Sequence, residues 1–390
     1  MIPEILPTYN RAPLAFTSGE GAWLTTTDGR RYLDFAAGIA VNALGHANPL
    51  LVQVLTDQAA RLWHVSNLYR IPEQERLAAL LVEHTFADTC FFTNSGTEAM
   101  ELAVKMARRH WHVAGHPERT TVIAFEGAFH GRSAAAIAAV GSEKMTQGFA
   151  PLLPGFIQLP WGDMEALAEA IRRPDVGAVI LEPVQGEGGI RALPDADLQR
   201  VRPLCDEPGA LLILDEVQCG MGRTGRLFAH EWAGITPDIM MVAKGIGGGF
   251  PIGAVLATEH AGAAMGAGSH GSTYGGNPLA CAVAAKVVET VTEPNFLPEV
   301  RRKAGLLRQG LEGLAATHPD VFAGVRGSGL MLGLECRLPS ADVVAAGYEA
   351  GVLTVPAADG VVRVLPALTI PDVDITEGIA RLDAAARSLA

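Results

Sequence analysis

The chain has 390 residues, of which 49% are hydrophobic and 18% charged, and its formal net charge is −12. This length predicts two domains with a large interior, and the composition is typical of a compact folded protein. The negative charge argues against nucleic acid and against an anionic membrane as partners, because both attract clustered lysine and arginine.

The five cysteines are scattered without a C-x-x-C pair, which predicts reduced thiols and no zinc site. The first ten residues, MIPEILPTYN, lack the basic and apolar segments of a secretory signal. No apolar run approaches the length of about 18 residues that a membrane span needs. We therefore expect a cytoplasmic protein.

The first predicted element is a β-hairpin around Asp28-Gly29, in the stretch GEGAWLTTTDGRRYLDF. Short apolar runs without alternation follow, and such runs predict strands that are buried on both faces. They are Cys90–Thr93, Val122–Phe125, Val176–Leu181, Leu211–Leu214 and Ile239–Ala243. Helical patterns such as Glu98–His110 and Glu165–Ile171 lie between them, and this alternation predicts an α/β layered domain.

The pattern changes from about residue 280. Helical stretches at Ala280–Thr292 and Glu299–Thr317 precede strand-like GLMLGLEC and VVRVLPALTI, which predicts a smaller α+β domain. A capping box of Asp374 and Glu377 predicts the start of the last helix. We assign residues 1–45 to the N-terminal segment of the small domain, 46–285 to the large domain, and 286–390 to the C-terminal small domain.

Three of the predicted strands end in polar groups at positions where an open α/β sheet binds ligands. CFFT leads into Asn94-Ser95-Gly96-Thr97, a helix start that can bind phosphate through free backbone N–H groups or can be an ordinary helix cap. LLIL leads into Asp215-Glu216-Val217-Gln218, and IMMVA leads into Lys244. Glycines at 245 and 247–249 follow that lysine and leave room for a close approach to the backbone.

Two more strand ends carry polar groups, but these indicate a site only when they are considered together with the other strand ends. VIAF leads into EGAFHGR, which contains Phe129, His130 and Arg132, and His130 is better suited to supporting a pocket than to acting as a base. VGAVIL leads into EPVQGEGG, where Glu187 lies among glycines. Taken alone, these residues can equally belong to a core, a surface or a solvated loop.

A planar, phosphorylated pyridine aldehyde accounts for all of these groups together. Its phosphate fits the helix start at Gly96–Thr97, and its ring fits between Phe129 as a lid and Val217 as a floor. The carboxylate of Asp215 can keep the pyridine nitrogen protonated. The amine of Lys244 can form a Schiff base with the aldehyde.

The sequence also resembles a known family. DEVQCGMGRTG and PDIMMVAKGIGGGFPIGA resemble the signature of the class III pyridoxal-phosphate aminotransferases. NSGTEA, AFHGR, LEPVQGEGG and HGSTYGGNPLACA are similar to that family's other blocks in the same order, so the resemblance extends from about residue 32 to residue 367. Within the family, LDFAAGIAVNALGHANP and HGSTYGGNP look most like acetylornithine aminotransferases.

The resemblance implies the PLP-dependent transferase fold of type I, in the α/β class. This fold has a large domain, with a mostly parallel central sheet covered by helices, and a smaller α+β domain. The cofactor would be pyridoxal 5'-phosphate (PLP), and the protein would be a homodimer with shared active sites. Besides the residues above, the resemblance implies that Ser95 belongs to the cofactor site and that Gln218 approaches the ring oxygen.

The resemblance also implies roles for residues that bind substrate. Ser272 and Thr273 would reach across the dimer, with Thr273 on the partner's phosphate. Arg132 and Arg363 would hold substrate carboxylates. We expect Glu187 to pair with Arg363 when N-acetylornithine is bound, and to release it for glutamate or 2-oxoglutarate, because an unpaired buried guanidinium is costly.

The implied reaction moves the terminal amino group of N-acetylornithine to 2-oxoglutarate in arginine biosynthesis. It yields N-acetylglutamate semialdehyde and glutamate. Alternatives in the same family are ornithine, succinyl-diaminopimelate and 4-aminobutyrate aminotransferases, and an aminomutase. Ornithine aminotransferases typically carry a tyrosine near the position of Ile39, and an apolar residue there is better suited to an acylated amine.

Two alternatives lie outside the family. A nucleotide-binding protein or dehydrogenase would need a G-x-x-x-x-G-K-[ST] motif, or a G-x-G-x-x-G motif between a strand and a helix, and neither is present. A metal site is disfavoured. His112 and His116 are four residues apart, but they follow the basic residues Arg108-Arg109-His110 at the predicted solvent-exposed end of a helix. We therefore expect no metal.

Overall fold

The computed structural model describes residues 2–389, and its strands form one seven-stranded sheet and three smaller sheets. The strands are β1 (Phe16–Glu20), β2 (Trp23–Thr26), β3 (Arg31–Asp34), β4 (Thr89–Thr93), β5 (Thr121–Phe125), β6 (Phe156–Leu159), β7 (Val176–Leu181), β8 (Val184–Gln185), β9 (Arg191–Ala192), β10 (Leu211–Asp215), β11 (Ile239–Val242), β12 (Gly253–Ala257), β13 (Phe322–Ser328), β14 (Met331–Cys336), β15 (Val352–Leu353), β16 (Val355–Pro356) and β17 (Val361–Val364).

Helices lie between most of these strands. They are α1 (Pro49–Ala59), α2 (Pro72–His84), α3 (Gly96–Val113), α4 (Ala134–Val140), α5 (Glu143–Thr146), α6 (Met164–Ala170), α7 (Asp195–Asp206), α8 (Glu259–Gly262), α9 (Pro278–Val291), α10 (Phe296–Thr317), α11 (Ser340–Glu349) and α12 (Asp372–Arg387). None of the helices within residues 2–389 is both long and apolar enough to cross a membrane.

The central sheet has the strand order β4-β12-β11-β10-β7-β5-β6, and β12 alone runs against the other strands. The carboxyl ends of the parallel strands therefore lie along one edge of the sheet. Thr93 at the end of β4 pairs with Gly253 at the start of β12, so the reversed strand begins at this same edge. Ligands bind at this edge in open α/β sheets.

Both faces of the central sheet are covered, which explains why its strands read as continuous apolar runs. Leu211 and Ile213 of β10 belong to the core cluster that contains the buried face of α3. Leu212 and Leu214 of the same strand belong to the opposite cluster, which contains residues of α6 and α7. Successive side chains thus point to opposite sides of the sheet, and both sides are buried.

A second core joins the two ends of the chain. β3 pairs in parallel with β15, and β13, β14, β17 and β16 form a four-stranded antiparallel sheet. Leu33 and Phe35 pack in the same cluster as Leu307 of α10 and Ile375 of α12. The division of the chain near residues 45 and 285 stays a prediction.

The structure confirms the predicted fold class and corrects several elements. The hairpin around Asp28-Gly29 is formed by β2 and β3, and the five predicted central strands are present. β6 and β12 were not predicted. The predicted capping box is wrong, because α12 begins at Asp372, and the side chain of Asp374 instead accepts a hydrogen bond from Trp23 Nε1 at 3.1 Å.

Candidate active site

A cavity of about 320 Å³ opens at the carboxyl edge of the central sheet. It brings together residues that the sequence analysis singled out from four separate stretches. They are Ser95, Gly96, Thr97, Phe129, His130, Asp215, Val217, Gln218, Lys244 and Gly249. Glu182 also lines this cavity. Residues far apart in the chain meet here because the strands that precede them end at the same edge.

The N-terminus of α3 forms one end of the cavity. Ser95 caps this helix by accepting a hydrogen bond from the backbone N–H of Glu98 at 3.2 Å. Thr97 Oγ1 accepts a hydrogen bond from the backbone N–H of Arg132 at 3.2 Å, which ties the helix start to the loop after β5. The free N–H groups of this first turn and the positive end of the helix dipole suit an anion such as phosphate.

Asp215, the last residue of β10, is buried, and both of its carboxylate oxygens are hydrogen-bonded. Oδ1 accepts from the backbone N–H of Val217 at 3.0 Å, and Oδ2 lies 2.7 Å from Nδ1 of the buried His130. Burial opposes protonation of His130, but its hydrogen bond to Asp215 raises the pKa of the imidazole overall. His130 therefore fixes the orientation of the carboxylate.

Glu182 follows β7 and is buried beside this pair. Its carboxylate accepts hydrogen bonds from the backbone N–H of Phe129 at 3.0 Å and of Gly186 at 3.4 Å. Burial, together with the negative charge of Asp215, raises the pKa of Glu182 to about 7. Glu182 thus connects the loop that carries Phe129 to the glycine-rich loop that carries Glu187.

Lys244 begins a 3₁₀ turn that is separated from the end of β11 by one residue, and its φ of 49° lies in the left-handed region. A non-glycine residue in this region is strained, and such strain concentrates at functional sites. Burial lowers the pKa of the Lys244 amine, while the nearby charge of Asp215 opposes that shift. Desolvation therefore favours the neutral, nucleophilic form of this amine.

Several features of the cavity fit a flat heteroaromatic ring with polar substituents. Two buried polar atoms, Oε1 of Gln218 and Nε2 of His130, have no hydrogen-bond partner within the chain. A Cβ atom at Gly96 would lie 3.0 Å from a methyl group of Val217, so glycine leaves the floor of the cavity flat. These observations, with Phe129 on the lining, fit PLP.

Arg363 and Glu187 form an ion pair although they lie on separate parts of the fold. Nη1 of Arg363, on β17, is 2.6 Å from Oε1 of Glu187. The Arg363 side chain is 2% exposed and that of Glu187 is 34% exposed. Neither residue lines the cavity, although the charges of both contribute to the pKa of Lys244.

The remaining predicted substrate residues lie at the periphery. Arg132 is exposed, and its guanidinium carbon lies 5.4 Å from the centroid of the Phe129 ring. Ser272 and Thr273 line a second depression, which shares Asn94 and Thr97 with the cavity. The structure thus does not bring Ser272 and Thr273 into the cavity of their own chain.

The sequence analysis did not assign a site role to Glu182, and it did not single out Asp34 or His46, which pair with each other outside the cavity lining. Glu182 stood in the LEPVQGEGG block, and a carboxylate directly after a fully buried strand was a signal that could have identified it. Asp34 and His46 gave no such signal, because only the folded structure brings them together. Within residues 2–389, no group of three or more His, Cys, Asp or Glu side chains is placed to hold a metal ion.

Comparisons with known proteins agree with this geometry. The family model described as Aminotransferase class-III matches residues 6–386. The acetylornithine aminotransferase of Rhodobacter capsulatus is 67% identical over 389 residues, covering 100% of this chain and 99% of the relative. That of Mesorhizobium japonicum is 58% identical over 383 residues, covering 98% of this chain and 96% of the relative.

Solved structures of aminotransferases share the whole fold. The N-acetylornithine aminotransferase from Stenotrophomonas maltophilia has a TM-score of 0.86 at 38% identity, covering 98% of this chain and 97% of its own. The ornithine aminotransferase from Toxoplasma gondii has a TM-score of 0.95 at 30% identity, covering 99% of this chain and 93% of its own.

Proposed function

Because this chain belongs to the class III aminotransferases, we propose that it moves the terminal amino group of N-acetylornithine to 2-oxoglutarate, using PLP as cofactor. The products are N-acetylglutamate semialdehyde and glutamate, so an amino group and a carbonyl oxygen are exchanged and no oxidant is needed. The names of relatives at 67% and 58% identity support this donor. The reaction belongs to arginine biosynthesis, and we propose the cytoplasm as its location.

The ion pair between Arg363 and Glu187 is the observation on which this choice of donor depends most. Glutamate presents its reacting amine beside a carboxylate, which an arginine near Lys244 can bind. N-acetylornithine presents a terminal amine with no neighbouring carboxylate, so the same arginine would face an apolar chain. When N-acetylornithine is bound, Glu187 would neutralise Arg363 through the 2.6 Å contact between its Oε1 and Nη1 of the arginine. The pocket would then suit both donors.

The lining residues can hold the cofactor. The backbone N–H groups of Gly96 and Thr97 would bind the phosphate at the start of α3, next to the cap residue Ser95. Phe129 and Val217 would enclose the ring. Gln218, whose Oε1 has no partner within the chain, would accept a hydrogen bond from the ring hydroxyl.

When bound, PLP supplies an electron-accepting ring that stabilises negative charge on the amine-bearing carbon of the donor. Asp215 would hold a proton on the ring nitrogen, since its carboxylate is buried and negatively charged groups favour a protonated base nearby. His130 would keep this carboxylate in place through its 2.7 Å contact. Glu182 would keep the loop with Phe129 over the ring through its contact with the Phe129 N–H.

Lys244 has two tasks in this proposal. Its amine would hold the cofactor through the aldehyde in the resting enzyme, and it would be set free when the donor amine takes its place. The free amine would then serve as the base that takes a proton from the amine-bearing carbon of the donor and returns it to the former aldehyde carbon of the cofactor. Burial lowers the pKa of this amine, which favours the unprotonated form that both tasks need.

We also propose that the enzyme is a homodimer with shared active sites. Ser272 is partly buried and Thr273 is exposed, beside the phosphate-binding turn but outside the cavity, which suits a contact with the phosphate of a partner chain. Trp63, Leu68 and Tyr69 are 65%, 88% and 66% exposed. Exposed apolar side chains of this size close together in the chain favour a subunit interface.

Half-reaction assays with four amino donors test this function. The donors are N-acetylornithine, ornithine, succinyl-diaminopimelate and 4-aminobutyrate, each mixed in excess with the cofactor-loaded enzyme while the cofactor spectrum is followed. We expect the highest ratio of maximal rate to half-saturating concentration for N-acetylornithine. A higher ratio for any of the other three donors would contradict the proposed donor but leave the class of enzyme intact.

A further inference from the structure

Residues Ala37 to Ala40 form a single turn of left-handed helix. Their φ angles are 46°, 65°, 64° and 63°, and only Gly38 among them lacks a Cβ atom. Left-handed residues normally occur singly, because Cβ approaches the following carbonyl oxygen. Three of the eight non-glycine residues with positive φ within residues 2–389 are in this turn. A run of this kind persists only where its surroundings enforce it.

Asp34 and His46 supply that enforcement. Asp34 is buried, and its Oδ1 accepts hydrogen bonds from the backbone N–H groups of Ala36 at 2.8 Å and Ala37 at 2.9 Å. Its Oδ2 lies 2.7 Å from Nε2 of His46. The backbone of His46 is itself fixed by reciprocal hydrogen bonds with Gly21. The carboxylate thus anchors the start of the turn to the segment that follows it.

The turn contacts three parts of the proposed active site. Ile39 and Ala40 pack in a cluster with Val184 and Ile190, which flank the loop of Glu187, and with Val361 and Leu365, which flank Arg363. The carbonyl oxygen of Ala40 is 3.8 Å from the point where a Cβ of Gly245, next to Lys244, would lie. Val41, directly after the turn, lines the cavity.

The handedness of the turn determines where these side chains lie. If residues 37–40 relaxed to the right-handed region, the Cα–Cβ bonds would leave the backbone on different sides, and Ile39 and Val41 could not both keep their places. Arginines can anchor glutamate through its carboxylates. The aliphatic chain of N-acetylornithine depends more on an apolar wall at this end of the site.

We propose that Asp34 and His46 are positioning residues that set amino-donor specificity by holding this left-handed turn. The turn keeps Val41 on the cavity lining as an apolar wall for the donor chain, and it keeps Ile39 packed behind the loops of Glu187 and Arg363. The proposal rests on the proposed function. If the proposal is right, loss of the Asp34 side chain weakens binding of N-acetylornithine more than binding of glutamate.

Half-reactions with N-acetylornithine and glutamate, performed on the cofactor-loaded enzyme, test this consequence. Asp34→Ala should raise the half-saturating concentration of N-acetylornithine by about tenfold or more relative to that of glutamate, because small displacements in a site have large effects. Asp34→Asn keeps an acceptor oxygen for the Ala36 and Ala37 N–H groups and should recover most of the loss. Equal changes for both donors would overturn the proposal.

Asp383→Ala is the matched control. It removes a carboxylate that pairs with Nε2 of His318 at the same distance of 2.7 Å, on α12 and away from the cavity. The ratio between donors should not change in this variant. A change as large as that of Asp34→Ala would mean that any loss of a carboxylate–imidazole pair has this effect, and would overturn the proposal.

Two further variants keep the test decisive if Asp34→Ala does not fold. His46→Gln should shift the donor ratio in the same direction. Ala40→Gly removes a buried methyl group but relieves a positive φ, so it should lower the melting temperature less than Ala380→Gly in the exposed face of α12 does. If Ala40→Gly lowered the melting temperature as much as Ala380→Gly, this would contradict the view that the surrounding contacts hold residues 37–40 in a left-handed conformation.

If none of the four donors reacts with the parent enzyme, the proposed function has failed. Reaction of the parent enzyme, combined with an unchanged donor ratio in Asp34→Ala and His46→Gln, means that the positioning proposal alone has failed.

Discussion

Arg363 and Glu187 form an ion pair whose members differ sharply in freedom to move. The Arg363 side chain is 2% exposed, is fixed on β17, and also donates to the carbonyl oxygen of Pro356 at 3.0 Å. Glu187 is 34% exposed and has glycine on both sides. The arginine is therefore the fixed partner, and any opening of the pair must come from the glutamate.

Removing the charge of Glu187 should separate the two half-reactions. Glu187→Gln keeps the shape of the side chain but loses one charged hydrogen bond, which contributes about 1.5–3 kcal/mol. We expect the N-acetylornithine half-reaction to slow by about 10-fold or more relative to the glutamate half-reaction, as measured by single-turnover rates. Glu377→Gln, which weakens a pair with Arg381 on α12, is the control. Equal slowing with both donors would show that Glu187 is not a switch.

Glu182 should make the stability of the cofactor-free protein depend on pH. Burial raises its pKa from the ordinary 4.5 to about 7, so between these values the folded protein binds more protons than the unfolded chain. The free energy of unfolding therefore falls as pH rises through this range, by at most about 1.4 kcal/mol per pH unit for one proton. The pKa of His130 is also raised in the folded protein, so the free energy of unfolding continues to fall with pH above this range.

Denaturant unfolding of the cofactor-free protein at pH 5, 6 and 7 measures this slope. Glu182→Gln resembles the protonated glutamate and should flatten the slope. Glu126→Gln, at an exposed position after β5, should leave it unchanged. If Glu182→Gln has the same slope as the parent protein, the proton is not held by Glu182.

Mixing two inactive variants tests the shared active site. Lys244→Ala lacks the reacting amine, and Thr273→Trp blocks the proposed contact with the partner's phosphate. If Thr273 acts across the interface, a heterodimer contains one site with both native residues, and activity should return to about one site per dimer. Absence of activity after demonstrated subunit exchange would contradict shared sites.

The sequence predicted the central sheet well because its strands are buried on both faces and read as apolar runs. It did not predict β12 (Gly253–Ala257), because this short strand follows a run of glycines that suggested a loop. Asp374 was misassigned as a helix cap because its side chain bonds to Trp23, a partner 351 residues away that local spacing cannot reveal.

The candidate site was predictable to the extent that its residues follow strand ends. Asp215 and Lys244 could be placed together, because parallel strands end at one edge. The pairing of Asp34 with His46 and the left-handed turn could not be predicted, because Ala37, Ile39 and Ala40 have no local preference for positive φ. Only the surrounding contacts impose that conformation.

The covalent assignment of Lys244 is the centre of this account, and one labelling measurement tests it most directly. The enzyme is loaded with PLP, reduced with borohydride, digested, and mapped by mass spectrometry. We expect the cofactor on the peptide that contains Lys244, and no covalent cofactor in Lys244→Ala or on exposed lysines such as Lys144. A stoichiometric label on another lysine, with Lys244 unmodified, would contradict the account.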